Sequence, residues 1–204
     1  KFSDYGGTPN KIKLLVKYKS KHINYIFVTF DNIEEKSLLR NFLNKKSLII
    51  NIKISKFNIL YNFLKIYKKI KDKNLDCICV HFFKSSFYGF MLSIILKKRL
   101  IIFENGIIDY KSIIKELFFY FIGLKAAKII SNSIDTFENI KKRYSVNKIV
   151  IVHNGLEKQN YLSSSNKNNQ KEIFNILFIG GLIKLRNLTI LVKSLKLLNI
   201  NFKL

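Results

Sequence analysis

Two stretches near the carboxyl end decide the fold: IVIVHNGLE, Ile149 to Glu157, and ILFIGGLIKLRNLTIL, Ile176 to Leu191. Each opens with an aliphatic, partly β-branched run of strand length. The first closes in Asn154-Gly155, a pair that tolerates positive φ and suits a tight turn. The second closes in Gly180-Gly181 and passes into a helix-compatible segment. Between them EKQNYLSSSNKNNQKE, residues 157–172, carries no apolar periodicity and reads as a linker. This order predicts a hinge between two α/β units, with residues 1–156 forming the first and residues 173–204 opening the second.

The same grammar runs back towards the amino end. Apolar runs recur at residues 23–30 (INYIFVTF), 47–54 (SLIINIKI), 77–83 (CICVHFF), 100–104 (LIIFE), 128–133 (KIISNS) and 148–154 (KIVIVHN). Each precedes a helix-compatible stretch, the pattern of βαβ units in a parallel sheet covered on both faces. The fold class expected is α/β, a doubly wound, Rossmann-like parallel sheet. The clearest helix is residues 57–72, with Phe57, Leu60, Tyr61, Leu64 and Tyr67 as its apolar face and its lysines in solvent. A second is expected at residues 135–144, capped by Ser133 or Asp135. Cys77 and Cys79, two apart on a strand, face one way and are expected to be a buried pair.

With 204 residues, 48% of them hydrophobic, the chain can bury one substantial core and part of another. It begins at Lys1 and stops in a strand-like INFKL run, so it is expected to be incomplete at both ends. The net charge of +24 would suit nucleic acid or an anionic membrane. Only Arg40, Arg99, Arg143 and Arg186 among the 37 basic residues are arginines, and the lysines are spread along the chain. That is the usage of a biased composition, and no nucleic-acid partner is expected. The apolar segments at residues 87–96 and 117–124 are short of the roughly 18 to 20 residues that span a bilayer. They read as core helices, with a helix lying on an anionic membrane as the alternative. Two cysteines in a chain of this size place it in the cytoplasm, peripherally on the inner face of the cell membrane if that alternative holds.

Several positions carry chemistry-bearing residues. Gly6 and Gly7 precede a helix whose first N–H groups can meet a phosphate. His81 ends a strand, where open α/β sheets bind ligands; a satisfied structural histidine is the competing reading. The chain has no Asp-x-Asp, GxxxxGK[ST], GxGxxG or GxSxG motif.

Taken together, these segments resemble family 4 glycosyltransferases over nearly the whole chain. DCICVHFF resembles the family's Asp-Val-Ile-His-Val-His strand, Asp76 and His81 matching and Cys79 replacing a histidine. KRLIIFENG takes the place of a segment that ends in His-Gly, and AAKIISNS that of Ala-Asp-x-Ile-x-x-x-Ser. HNGLE and IGGLIKLRNL complete the series in order. The resemblance implies a GT-B enzyme that moves a sugar from a nucleotide-sugar to a glycan or lipid-linked hydroxyl with retention, in cell-envelope polysaccharide synthesis, needing no metal or other cofactor. It implies a catalytic or positioning role for Asn105 and Glu104, phosphate binding by Gly6, Gly7, Gly180, Gly181 and Arg186, and a cleft lined by His81 and Asn154. It also implies a donor-binding Glu pair that this sequence does not contain, so the chain alone is not expected to catalyse transfer.

Two departures bear on activity. Asn105 stands where the family has His and cannot exchange a proton near neutral pH. Gly181 replaces a phosphate-facing Arg, leaving Arg186 to supply the cation that stabilises departing phosphates. Both losses motivate the alternative of a non-catalytic, glycosyltransferase-like binding module.

Overall fold

The computed structural model describes residues 7–30, 38–55, 58–106, 113–144, 147–156, 174–178, 187–198 and 202–203. The chain separates into two compact units, Lys1–Lys158 and Gln159–Leu204. The first holds helices α1 (Gly7–Lys17), α2 (Leu38–Asn44), α3 (Ile59–Ile70), α4 (Phe82–Ile95), α5 (Ile113–Lys125) and α6 (Ile134–Tyr144). Its strands are β1 (Ile26–Thr29), β2 (Leu48–Asn51), β3 (Cys77–His81), β4 (Arg99–Glu104), β5 (Lys128–Ser131) and β6 (Ile149–Ile151). The second unit shows β7 (Phe174–Asn175), α7 (Leu188–Leu195) and β8 (Phe202–Lys203), the two strands paired in parallel.

Strands β3, β4, β5 and β6 lie side by side in chain order, all parallel. Right-handed crossovers that advance in one direction put their helices on one face. One core cluster accordingly gathers Leu100 and Ile102 of β4, Ile129 of β5, Phe119 and Ile122 of α5, and Ile140 and Tyr144 of α6. Strands β1 and β2 form a second parallel pair, and here alternation sends residues to opposite sides. Phe27 and Ile49 pack with Ile12 and Val16 of α1 and Leu43 of α2. Val28 and Ile50 pack with Phe63 and Ile66 of α3 and Tyr88 and Leu92 of α4. Helices therefore cover both faces of the β1–β2 pair, in keeping with the doubly wound α/β arrangement that the alternating runs imply.

The element series agrees with the sequence, but two burial expectations do not. Helix α3 turns Leu60, Tyr61 and Leu64 outward and buries Asn62, Phe63, Ile66 and Ile70 instead; Phe57 lies outside the described residues. The reason is polar. Asn62, 1% exposed, accepts from the Ser55 N–H at 2.8 Å and donates to the Ser55 carbonyl at 2.6 Å. Its amide also reaches the Tyr88 hydroxyl at 3.1 Å. A side chain that satisfies the backbone leaving β2 is worth more inside than a leucine there. Cys77 and Cys79 do share a side, but both are exposed rather than buried.

Asn62→Ala is expected to remove both side-chain bonds to the Ser55 backbone and destabilise the fold by about 1–3 kcal/mol. Urea unfolding checks this, and an unchanged midpoint would mean that the bonds contribute nothing net.

Candidate functional site

The site lies where β3, β4 and β5 end. Alternation along β4 buries Leu100, Ile102 and Glu104 beneath the helices and turns Phe103 and Asn105 the other way. Phe103 is the register partner of His81, so the two rings meet across the strands, stacked at 4.6 Å between centroids and 14° between planes. Strand β3 passes into α4 without a linker: His81 occupies the N-cap with extended backbone, and Phe82 follows at φ 66°. A left-handed phenylalanine costs of the order of 1–3 kcal/mol and makes the abrupt turn that leaves His81 at the strand end.

Helix α1 contributes Lys11, which the sequence reading did not single out. Its Nζ sits 5.1 Å above the Phe103 ring and donates to Asn105 Oδ1 at 3.3 Å. An ammonium only donates, so the Asn105 oxygen must face Lys11 and its amide nitrogen must face His81. That nitrogen lies 3.3 Å from His81 Nδ1, which therefore accepts. The imidazole is consequently neutral, with its proton on Nε2. Burial and the neighbouring Lys11 charge both favour this form, and they push the His81 pKa down to about 4. Burial also lowers the Lys11 pKa from its ordinary value. The third side is closed by Asn132 after β5, whose amide donates to the Asn105 carbonyl at 3.2 Å. Asn105 is thus held at both its side chain and its backbone, while the backbone of Gly106 borders open space.

Glu104 does not join this cluster. Its carboxylate, 4% exposed, accepts from the Tyr144 hydroxyl at 2.5 Å on the helix-covered face, with the Arg143 charge within reach. Burial is the larger effect and pushes its carboxyl above the ordinary value, against Tyr144 and Arg143. The adjacency of Glu104 and Asn105 in sequence places them on opposite sides of one strand. Gly7 opens α1, one turn before Lys11. Asn154 follows β6, exposed, and makes none of the contacts of the cluster. Gly6, Gly180, Gly181 and Arg186 lie outside the described residues. Among the described residues no group of three or more His, Cys, Asp and Glu side chains could hold a metal ion.

The arrangement presents a cation, two primary amides and a neutral imidazole at the carboxyl ends of parallel strands. It can bind and orient hydroxyls and anions, and its one titrating group near neutrality has been silenced. The Glu104 assignment carries its own check. A carboxyl with a raised folded pKa adds stability below the unfolded value of about 4.3 and loses it as the pH rises through the folded pKa. The unfolding free energy of Glu104→Gln relative to the wild type should therefore improve as the pH rises above about 4.3 in urea titrations and level off once the folded-state carboxyl has ionised. A difference that is flat, or that runs the other way, would show that ionised Glu104 is not penalised by its surroundings.

The family model for Glycosyltransferase Family 4 matches residues 22–160, which include β1 to β6 and every member of the cluster except Lys11. No curated protein matches the chain. Because the matched segment is more than half of the sequence, the chain belongs to glycosyltransferase family 4.

Proposed function

We propose that residues 1–156 form the acceptor-binding domain of a retaining, metal-independent glycosyltransferase that draws its sugar from a nucleotide-sugar. The observation that carries this reading is the fixed Asn105, tied to Lys11, His81 and Asn132 at the strand ends of a family 4 domain. Open α/β sheets bind ligands at that edge. Asn105 offers an amide that can exchange its bond to His81 for one to a sugar hydroxyl, and its two anchors fix the orientation. Positioning of this kind lowers a barrier without any proton transfer by the protein. The donor-phosphate role of Gly6, Gly7, Gly180, Gly181 and Arg186 belongs to the same proposal.

A second reading, a non-catalytic binding module, draws on a specific observation. Glu104 is locked under Tyr144 and His81 is neutral and weakly basic, so the cluster holds no group poised for general acid–base work near pH 7. The two readings separate on turnover. The complete protein as its own cells make it, given labelled UDP- and GDP-sugars and a membrane extract from those cells, should form a product with the donor's anomeric configuration. Asn105→Ala should lower kcat/KM by about 10–10²-fold, the cost of a misplaced substrate. No transfer from any donor would leave the binding module, and an inverted product would remove the retaining mechanism.

The acceptor we infer is lipid-linked, met in the cytoplasm at the inner face of the membrane. Among the described residues no helix is long and apolar enough to cross a bilayer. Helix α5, however, turns Ile113, Ile114, Leu117, Tyr120, Phe121 and Leu124 outward along one side, with Ile113 83% exposed, and it carries Lys115 and Lys125. Such a face can sink into the head-group boundary, and a chain of net charge +24 is drawn to anionic lipid. The chain should co-sediment with phosphatidylglycerol vesicles at low salt and leave them on Leu117→Ser/Phe121→Ser substitution. Equal binding to phosphatidylcholine, or none to either, would remove the membrane from the proposal.

A further inference from the structure

The turn from β3 into α4 holds a phenylalanine where the backbone suits a glycine. Three non-glycine residues among those described have positive φ: Phe82, Lys97 and Asn187. Lys97 follows the end of α4, where a left-handed residue commonly closes a helix, and asparagine tolerates that region. Phe82, at φ 66°, meets neither condition, and for a bulky side chain such a backbone is a genuine outlier. The turn needs the left-handed backbone but not the ring. Its backbone is tied by the Ser85 hydroxyl, which donates to the Phe82 carbonyl at 3.1 Å. The ring is 58% exposed and meets no other aromatic ring among the described residues, whereas that of Phe83 packs against Phe118 and Phe119 at the core. Glycine would make the same turn without strain and without an apolar surface in water. Strain that the fold does not require gathers where ligands bind. Phe82 stands at such a place, its Cα one peptide, about 3.8 Å, from that of His81, at the carboxyl end of β3.

We propose that Phe82 is a stacking platform for the pyranose ring of a sugar whose hydroxyls the strand-end cluster binds. A pyranose carries two kinds of surface, hydroxyls around its edge and a face of C–H bonds. The cluster answers the first with the Asn105 amide and the Nε2 proton of His81. For the second it has only Phe103, whose ring is already engaged by His81 and Lys11. The exposed Phe82 ring supplies the apolar surface that is missing, and small-molecule sites join aromatic walls to a few placed polar groups in this way. An alkyl chain would use the ring but leave the amide and the imidazole unmatched. The same chemistry admits two sources, a sugar of the acceptor or the sugar of the donor. The proposal rests on the cluster being the ligand-binding centre of a transferase domain, and it adds the residue that reads the sugar ring.

The test uses the complete protein, isotope-labelled and followed by NMR. Methyl glucoside, methyl galactoside, methyl mannoside, UDP-glucose, UDP and the open-chain polyol sorbitol are titrated in turn. At least one methyl glycoside or UDP-glucose should bind with upfield shifts of its ring C–H signals, the mark of an aromatic ring facing them, and with shifts at the Phe82 ring and the Asn105 side-chain amide. A glycoside that does so places the sugar on the acceptor; UDP-glucose alone, bound better than UDP, places it on the donor. Phe82→Gly and Phe82→Asn should weaken this binding about tenfold, abolish the upfield shifts and keep or raise the melting temperature, whereas Phe82→Trp stays within a few-fold of the wild type. The inference is overturned if no sugar binds, if sorbitol binds equally, if the glycine and asparagine variants bind as the wild type does, or if both melt lower, which would make the ring part of the fold. Ring-dependent sugar binding without transfer would leave the platform standing and remove the transferase reading. Transfer with a KM indifferent to Phe82→Gly would do the reverse.

Discussion

The alternation of a single short strand sorts the residues of this domain into those that hold it together and those that face a ligand. In β4, Leu100, Ile102 and Glu104 point into the helix-covered core, and Phe103 and Asn105 point away from it. The division is enforced on the core side. Tyr144, fully buried, occupies the end of α6, and its hydroxyl holds Glu104 in place. Gly123 of α5 makes room for that ring: a Cβ there would stand 2.6 Å from Tyr144 Cδ1. A one-residue slip of β4 would bring Asn105 into the core and Glu104 into the cluster, reversing every site contact at once.

On the other side of β4 the partners come from separate elements, and none of them is close in sequence. Lys11 belongs to α1, His81 to the β3–α4 turn and Asn132 to the end of β5. What brings His81 and Asn132 beside Asn105 is the in-order parallel sheet, which sets successive strand ends side by side, while Lys11 reaches them from helix α1. The cross-strand pairing of His81 with Phe103 then builds a flat aromatic floor under the Lys11 ammonium. Because Lys11 can only donate, it fixes the orientation of the Asn105 amide, and that amide fixes the tautomer of His81. One cation thus orders two neutral groups through a chain of hydrogen bonds.

How much of this was legible in the sequence follows from what each signal measures. The strands of the first unit were readable because parallel strands buried on both faces are continuous β-branched runs, such as LIIFE before Asn105. Ser133 was readable as a cap because its hydroxyl can accept from the N–H three residues on, as it does from Thr136 at 3.1 Å. The buried face of α3 was not, since periodicity weighs residues by polarity and cannot see that Asn62 has partners waiting in Ser55 and Tyr88. The opposite facing of Glu104 and Asn105 follows from strand alternation alone. Lys11 was hidden by number: in a chain with so many lysines, nothing local marks the one whose helix packs over a strand end.

That last point changes what the high net charge says. A charge of +24 spread over a lysine-rich chain is a statement about composition, and most of it acts through solvent, where screening within about 8 to 10 Å reduces each charge to a weak, non-specific pull. A single ammonium set over an aromatic ring and beside a half-buried imidazole is different in kind. Burial is the larger cause of the depressed His81 pKa, and the charge of this ammonium adds to it. Long-range attraction brings an anionic surface or ligand near, but specificity has to come from a charge that is desolvated, oriented and not already neutralised. In the first unit Lys11 is set apart from most of the other lysines by being half-buried over the Phe103 ring and oriented by its bond to Asn105, so its position tells more than the count of lysines does.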